Sequence, residues 1–373
     1  MINIKSLAYP YLQKARYAKF IRLFEQAKRL PLQKDKILMF CTSKGRLGGN
    51  LLAIKNYIEK NTLPFSVTAI TSENRPDDAA LAQEMATSRF IMVDDYEPLV
   101  YPLKLRDGQE LVQVWHAMGA FKRFGYARAT AEQGSITHKN YTAAIVSSPA
   151  LRGIYAESFG ISESRVHAVG TPRTDVFFDA AYREAVRERL YRDYPALQGK
   201  KICLFAPTFR GENVNNGYYP ADYIDLAALA DALGEAWAVV LKLHPYIKNE
   251  IPVPAGYEGC VLDLTAEREI NDILLITDVL VTDYSSVIFE NAVVGSACVL
   301  YVPDLAEYTK DRGFYFDYDA YACGDVITER GELAAAVLRA SADDSRMAAF
   351  KKKFVPLCDG QSCRRFAEEI LKG

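Results

Sequence analysis

The chain reads as an α/β protein with two parallel-sheet domains. Short apolar runs alternate along nearly its whole length with segments of helical period, the pattern of buried parallel strands joined by covering helices. Its 373 residues exceed one ordinary core and divide naturally into two of roughly 150–200 each. In both halves the strands close on a histidine or a hydroxyl, which is where open α/β sheets hold their ligands.

Residues 1–36 differ in kind. They carry nine Lys or Arg against two acidic residues, with Leu12, Tyr17, Phe20, Ile21 and Phe24 at about helical spacing, which predicts a basic amphipathic helix. Two placements fit it. The apolar stripe lies in a bilayer interface with its cations over anionic headgroups, or it packs on its own domain.

The first α/β domain is expected over 37–178. A strand over 37–41 leads through SKGRLGGN to a helix over 51–58, and further strands are expected over 65–70, 90–93 and 110–115. Gly48-Gly49 lets backbone come close to a ligand or simply turns strand into helix, and no G-x-G-x-x-G or Walker pattern accompanies it. The strand over 111–115 runs into His116, followed by Lys122 and Arg123. A strand over 143–148, a helix over 150–159 and a strand over 166–169 follow. Gly170-Thr171-Pro172 then breaks the pattern before a charged helix over 181–191.

The second domain is expected over 179–360. Its strand over 201–205 ends in Ala206-Pro207-Thr208-Phe209-Arg210-Gly211 and a polar loop; a helix over 224–233 precedes a strand over 237–243 that ends in His244-Pro245. After a strand at 261–262, the run Val279-Leu280-Val281 breaks at Thr282-Asp283-Tyr284-Ser285-Ser286 and resumes as a helix over 287–294. Ser285 or Ser286 can cap that helix, whose first-turn N–H groups favour an anion such as phosphate. An amphipathic helix over 363–371 closes the chain.

Bulk properties exclude several classes. A net charge of −2 and the lack of basic clusters interleaved with aromatics argue against nucleic acid as a partner. Seven scattered cysteines without a C-x-x-C pair read as reduced thiols of a cytosolic protein. The four histidines never stand in H-x-x-x-H spacing, and no D-x-D pair of the kind metal-dependent GT-A enzymes use is read in the sequence, so no metal site is expected. No signal peptide or apolar run of membrane-spanning length is present.

The series strand, TDYSS, helix, strand, Tyr308 and RGFYFD at 312–317 resembles the CDP-glycerol glycerophosphotransferase family, which builds teichoic-acid-type poly(polyol phosphate) chains. WHAMGAFKRFG at 115–125, GTPRTD at 170–175, APTFRG at 206–211 and KLHP at 242–245 match its other landmarks in order. The family's commoner spelling is W-H-G-T-P, and Ala117-Met118-Gly119 after His116 departs from it. The resemblance implies a GT-B-like fold, two Rossmann-like domains facing across a cleft, with 361–373 returning to the first. It implies transfer of glycerol or ribitol phosphate from a CDP-polyol to a lipid-linked saccharide or polyol phosphate acceptor. No cofactor is required, and the enzyme would work peripherally at the cytoplasmic face of an anionic membrane. A homo-oligomer is compatible with the sequence.

In that family the W-H histidine is proposed as the base and the H-P histidine contacts the pyrophosphate, here His116 and His244. Each has a plainer alternative as a core histidine, which is the reading kept for His138 and His167. Thr282, Ser285, Ser286, Arg210, Lys242 and Arg312 are expected to face the donor phosphates, with Asp283 orienting the turn and Glu290 meeting the ribose by analogy. Lys122 and Arg123 belong beside His116 or are solvated loop cations. Two competing functions remain: a nucleotide-sugar glycosyltransferase of the same fold, and a membrane-peripheral polymer-binding protein without turnover.

Overall fold

The structure is a computed structural model. It describes residues 11–12, 14–43, 45–128, 135–211 and 216–372, without the side chains of Asp311 and Arg312. The chain forms two compact units. The first contains residues up to Met118, then Arg123–Asp175 and Leu357–Gly373; the second contains Gly119–Lys122 and Val176–Pro356.

In the first domain a helix α1 (Ala18–Ala27) precedes β1 (Gln33–Cys41), α2 (Gly49–Lys60), β2 (Ser66–Thr71), α3 (Asp78–Thr87), β3 (Ser88–Val93), β4 (Glu110–Gln113), β5 (Ala143–Val146), α4 (Arg152–Phe159) and β6 (Val166–Ala168). The six strands are all parallel, in the order β2-β1-β3-β4-β5-β6. Ile37 to Cys41 are buried because helices cover both faces, and Leu51, Ile54 and Ile58 of α2 fill one side at helical spacing. Phe366 and Ile370 from the C-terminal helical segment complete that core, whose first turn is held by Asp175 accepting from the Ser362 and Cys363 N–H groups.

The N-terminal basic segment takes the second of its two placements. α1 packs on α3 and buries Phe20 and Phe24, at 3% and 0% exposure, in its own domain. Each ring buried this way stabilises by about 2–3 kcal/mol, so these two rings of the stripe expected at a bilayer are already used, with Tyr17 and Ile21 half-buried. Tyr11 and Leu12 remain exposed, with the cations of this segment largely on the outside. Residues 1–10 of the expected helix lie outside the described residues. Among the described residues, no helix is long and apolar enough to cross a membrane.

The second domain runs α5 (Ala180–Asp193), β7 (Lys201–Phe205), α6 (Leu226–Leu233), β8 (Trp237–Leu241), β9 (Val261–Asp263), α7 (Ile270–Leu274), β10 (Val279–Thr282), α8 (Val287–Val294), β11 (Ala297–Tyr301), α9 (Leu305–Arg312), β12 (Asp325–Ile327), α10 (Leu333–Arg339) and α11 (Ser345–Phe354). Its strands are again all parallel, ordered β12-β11-β10-β7-β8-β9. Each sheet reverses its winding once, between β1 and β3 in the first and between β7 and β10 in the second. The crevice beyond the strand ends at such a reversal is the ligand position of doubly wound sheets. Two Rossmann-like domains are therefore present, each with its own switch point.

Candidate functional site

At the first switch point the chain leaves β4 through a strained turn. Trp115 adopts φ +49°, a left-handed conformation costly for a bulky residue, and its N–H donates to Gln113 Oε1. Asn50 at the start of α2 repays this by donating to the Val114 and Trp115 carbonyls, both at 2.8 Å, while its own Oδ1 accepts from the Arg173 N–H. The Arg173 guanidinium in turn donates to the His116 carbonyl. SKGRLGGN, WHAMG and GTPRTD thus meet in one network that fixes the backbone of His116.

The His116 side chain stays 40% exposed, with Nδ1 3.1 Å from the Asp94 carbonyl and 3.5 Å from Asp95 Oδ1. A carbonyl only accepts, so Nδ1 carries a ring proton when it engages Asp94. Behind it, Glu97 spans the reversal: its carboxylate accepts from the Thr42 N–H and hydroxyl at the end of β1. Burial pushes this carboxyl up to about 7 against those two donors. His138 is wholly buried, and desolvation lowers it to about 3, so it is a neutral core residue. His167 lies 3.6 Å from Glu369.

At the second switch point Thr282, Asp283 and Tyr284 turn inward. The Thr282 hydroxyl donates to the Ala206 carbonyl, and Asp283 Oδ1 accepts from the Thr208 and Tyr284 N–H groups. Arg210 is 7% exposed and donates to Asp283 Oδ2, to both oxygens of Asp304 and to the Thr208 carbonyl. Its guanidinium carbon lies 5.0 Å from the ring centres of Tyr284 and of Tyr308, which stack on each other at 3.8 Å. The expectation that Arg210 clamps phosphate gives way to a framework role, since four of its five N–H donors are engaged by the protein. Lys242 is similarly committed, its amine donating to the Thr265 carbonyl at 2.8 Å, and burial lowers its pKa.

Ser285 and Ser286, by contrast, are half-buried at the start of α8. Ser286 occupies the cap position without a side-chain cap bond, and Ser285 Oγ accepts only a long 3.4 Å bond from the Val287 N–H. Glu290, one turn on, is 2% exposed. The Arg312 side chain falls outside the described residues. Beyond β8, His244 packs against Phe209 and Tyr246, and its Nδ1 accepts from the Tyr246 N–H at 3.2 Å. That places the ring proton on Nε2, the reverse of His116.

Lys122, expected beside His116, belongs to the second domain, where its amine donates to the Tyr308 hydroxyl at 3.0 Å and its backbone bridges to Phe314. Arg123 is exposed in the first domain.

A family model described as CDP-glycerol:poly(glycerophosphate) glycerophosphotransferase matches residues 23–372. The chain belongs to this family. The teichoic acid poly(ribitol-phosphate) polymerase of Bacillus spizizenii is 35% identical over 371 residues, 97% of this chain and 60% of that protein. This chain therefore spans about 60% of that relative's length. The teichoic acid ribitol-phosphate primase of the same species is 31% identical over 91% of this chain and 92% of its own. Among solved structures, a variant of the wall teichoic acid polymerase TagF soaked with CDPG superposes with a TM-score of 0.76 at 20% identity, covering 100% of this chain and 98% of that one. That likeness carries the fold.

Sequence reasoning missed Asp304, which holds both Arg210 and Tyr284, although an aspartate directly after the strand VLYVP is a recognisable signal. Asn50 and Arg173 stood inside motifs already singled out but received no role. Asp94 acts through its backbone carbonyl, which no side-chain pattern announces.

Proposed function

We propose that the protein transfers a polyol phosphate, glycerol or ribitol, from its CDP-activated form to a hydroxyl of a lipid-linked acceptor. The observation that supports this reading is that both histidines stand just beyond strand ends with their Nδ1 atoms turned to the protein backbone, His116 Nδ1 to the Asp94 carbonyl and His244 Nδ1 to the Tyr246 N–H. In this reading His116 Nε2 serves as the base and His244 Nε2–H as the phosphate contact. The acceptor oxygen forms a bond to the polyol-bearing phosphorus, the bond from that phosphorus to the CMP oxygen breaks, and CMP departs with the electron pair. The hydroxyl proton passes to His116 Nε2. His244 Nε2–H and the Ser285 and Ser286 hydroxyls donate to the donor's phosphate oxygens, with the helix start of α8 adding favourable partial charge.

Family membership and the names of the ribitol-phosphate relatives support the substrate class. A lipid-linked acceptor would hold the enzyme at the cytoplasmic membrane face, and the exposed cations of residues 14–29 suit an anionic surface.

The test is CMP release from CDP-glycerol and CDP-ribitol, with UDP-sugars as the competing donors. His116→Ala is expected to lower turnover by about 10²-fold or more at unchanged CDP affinity. UDP release by the wild type, or an unaltered rate in the variant, overturns the assignment.

A further inference from the structure

β3 and β4 run side by side with Val93 opposite Gln113, so the residues that leave the two strands, Asp94-Asp95 and Trp115-His116, emerge next to each other. Gln113, fully buried, ties the two exits together. Its amide nitrogen donates to the Asp95 carbonyl at 3.2 Å and to the Tyr141 hydroxyl at 2.8 Å, and its amide oxygen accepts from the Trp115 N–H at 2.9 Å. The Asp95 carboxylate is oriented in turn by the Tyr96 N–H, which donates to Oδ1 at 2.8 Å. That same oxygen lies 3.5 Å from His116 Nδ1, whose nearer partner is the Asp94 carbonyl at 3.1 Å. Among the described residues no lysine or arginine pairs with Asp95, so its charge is directed at the imidazole.

We propose that Asp95 is the positioning carboxylate of His116: it holds the imidazole proton on Nδ1 and stabilises the imidazolium that forms when the acceptor hydroxyl gives its proton to Nε2, a role that rests on the transferase reading above. The Asp94 carbonyl fixes the direction of the ring but carries no net charge, so it responds little to protonation at Nε2. The Asp95 carboxylate responds strongly, because an opposite charge within about 4–6 Å favours the charged form of the ring. Through the step Nδ1–H stays in place and Asp95 stays ionised, and the ring, 40% exposed, returns the acquired proton to solvent after CMP departs. The other titratable or charged groups at this end of the sheet are Asp94, Tyr96 and Glu97 on the same exit loop, neutral His138 behind Trp115, and Arg173, whose guanidinium engages the His116 carbonyl rather than the ring.

The histidine Cε1–H signals of the full chain are titrated by NMR for the wild type, Asp95→Asn and Asp95→Glu, with His116→Ala identifying the His116 signal among the four histidines. The pH dependence of CMP release and the affinity for CDP are measured alongside. Asparagine keeps an oxygen for the Tyr96 N–H and removes the charge. Asp95→Asn is therefore expected to lower the His116 pKa by about one unit, to move the acid limb of kcat/KM down with it, and to reduce turnover about tenfold at unchanged CDP affinity. Asp95→Glu should recover part of each change. Burial pushes Glu97 up to about 7, into the same pH window, so both profiles are repeated in a Glu97→Gln background, where the shift due to Asp95 should persist. The NMR titration needs no turnover, so a wild type that releases no CMP sinks the transferase reading while the titration still decides whether Asp95 supports the histidine. An unshifted His116 titration in Asp95→Asn, or lost turnover with an unmoved acid limb, overturns the proposal and leaves Asp95 as a residue that shapes the turn.

Discussion

Arg210→Met should unfold the second domain well before it impairs nucleotide recognition. The side chain is 7% exposed and its removal leaves Asp283, at 1% exposure, without its charged partner, and strips Asp304 of two hydrogen bonds. Breaking one side of a buried ion pair costs about 3–5 kcal/mol, because the remaining charge keeps its desolvation penalty. Asp283 retains the Thr208 and Tyr284 N–H donors and Asp304 retains the Tyr284 hydroxyl, so the lower half of that range applies. Against a domain stability of about 5–15 kcal/mol this is a large fraction. Of the chain's two tryptophans, Trp237 sits in β8 of this domain, so urea unfolding followed in a Trp115→Phe background reports on it alone. Adding Asp283→Asn to Arg210→Met should recover part of the loss. A wild-type urea midpoint combined with lost CDP binding would refute the framework role and restore Arg210 as a phosphate clamp.

Glu97 has its carboxyl raised from 4.5 to about 7 chiefly by burial, so its contribution to stability is fully present below about 4.5 and is lost as pH rises through 7. Two to three pKa units correspond to roughly 3 kcal/mol; Glu97→Gln should therefore match the wild type near pH 4.5 and exceed its urea midpoint at pH 8, and equal midpoints at both would refute the burial argument. Gly119 adopts φ +68°, and an added Cβ would stand 2.3 Å from the buried Phe289 ring. Gly119→Ala should cost about 2–4 kcal/mol from left-handed strain and overpacking together, visible as a lowered thermal midpoint, whereas Gly295→Ala, with nothing near its added Cβ, should show the strain alone.

Much of the fold was legible because parallel strands buried on both faces must be written as apolar runs. Lys201–Phe205 and Val279–Thr282 could hardly be read otherwise. The strand expected over 110–115 stops at Gln113, because the positive φ of Trp115 turns the chain away; tertiary bonds from Asn50 enforce that turn, and a local pattern does not contain them. Lys122 illustrates the same limit. Six residues from His116 in sequence, it belongs to the other domain because its backbone pairs with Phe314, 192 positions away. Periodicity also identified the face of α1 that would be buried, but what covers a buried face is written elsewhere in the chain, here in α3.

The candidate site was legible as a set of places and less so as a set of roles. Both histidines follow strand ends, yet their roles turn on which ring nitrogen faces a carbonyl and which faces an N–H, and Asp94 and Tyr246 provide that through backbone atoms. Within TDYSS the roles divide for a mechanical reason. Thr282 is still the last residue of β10, and Asp283 and Tyr284 continue into the sheet's interior, so their polar atoms must be satisfied by Ala206, Thr208, Arg210 and Asp304. Only at Ser285 and Ser286 has the chain cleared the buried strand ends, and only there can hydroxyls be spared for a ligand. A five-residue motif of this kind is therefore a frame of three residues carrying two donors, and a substitution in the frame should first be read as a loss of the turn's shape.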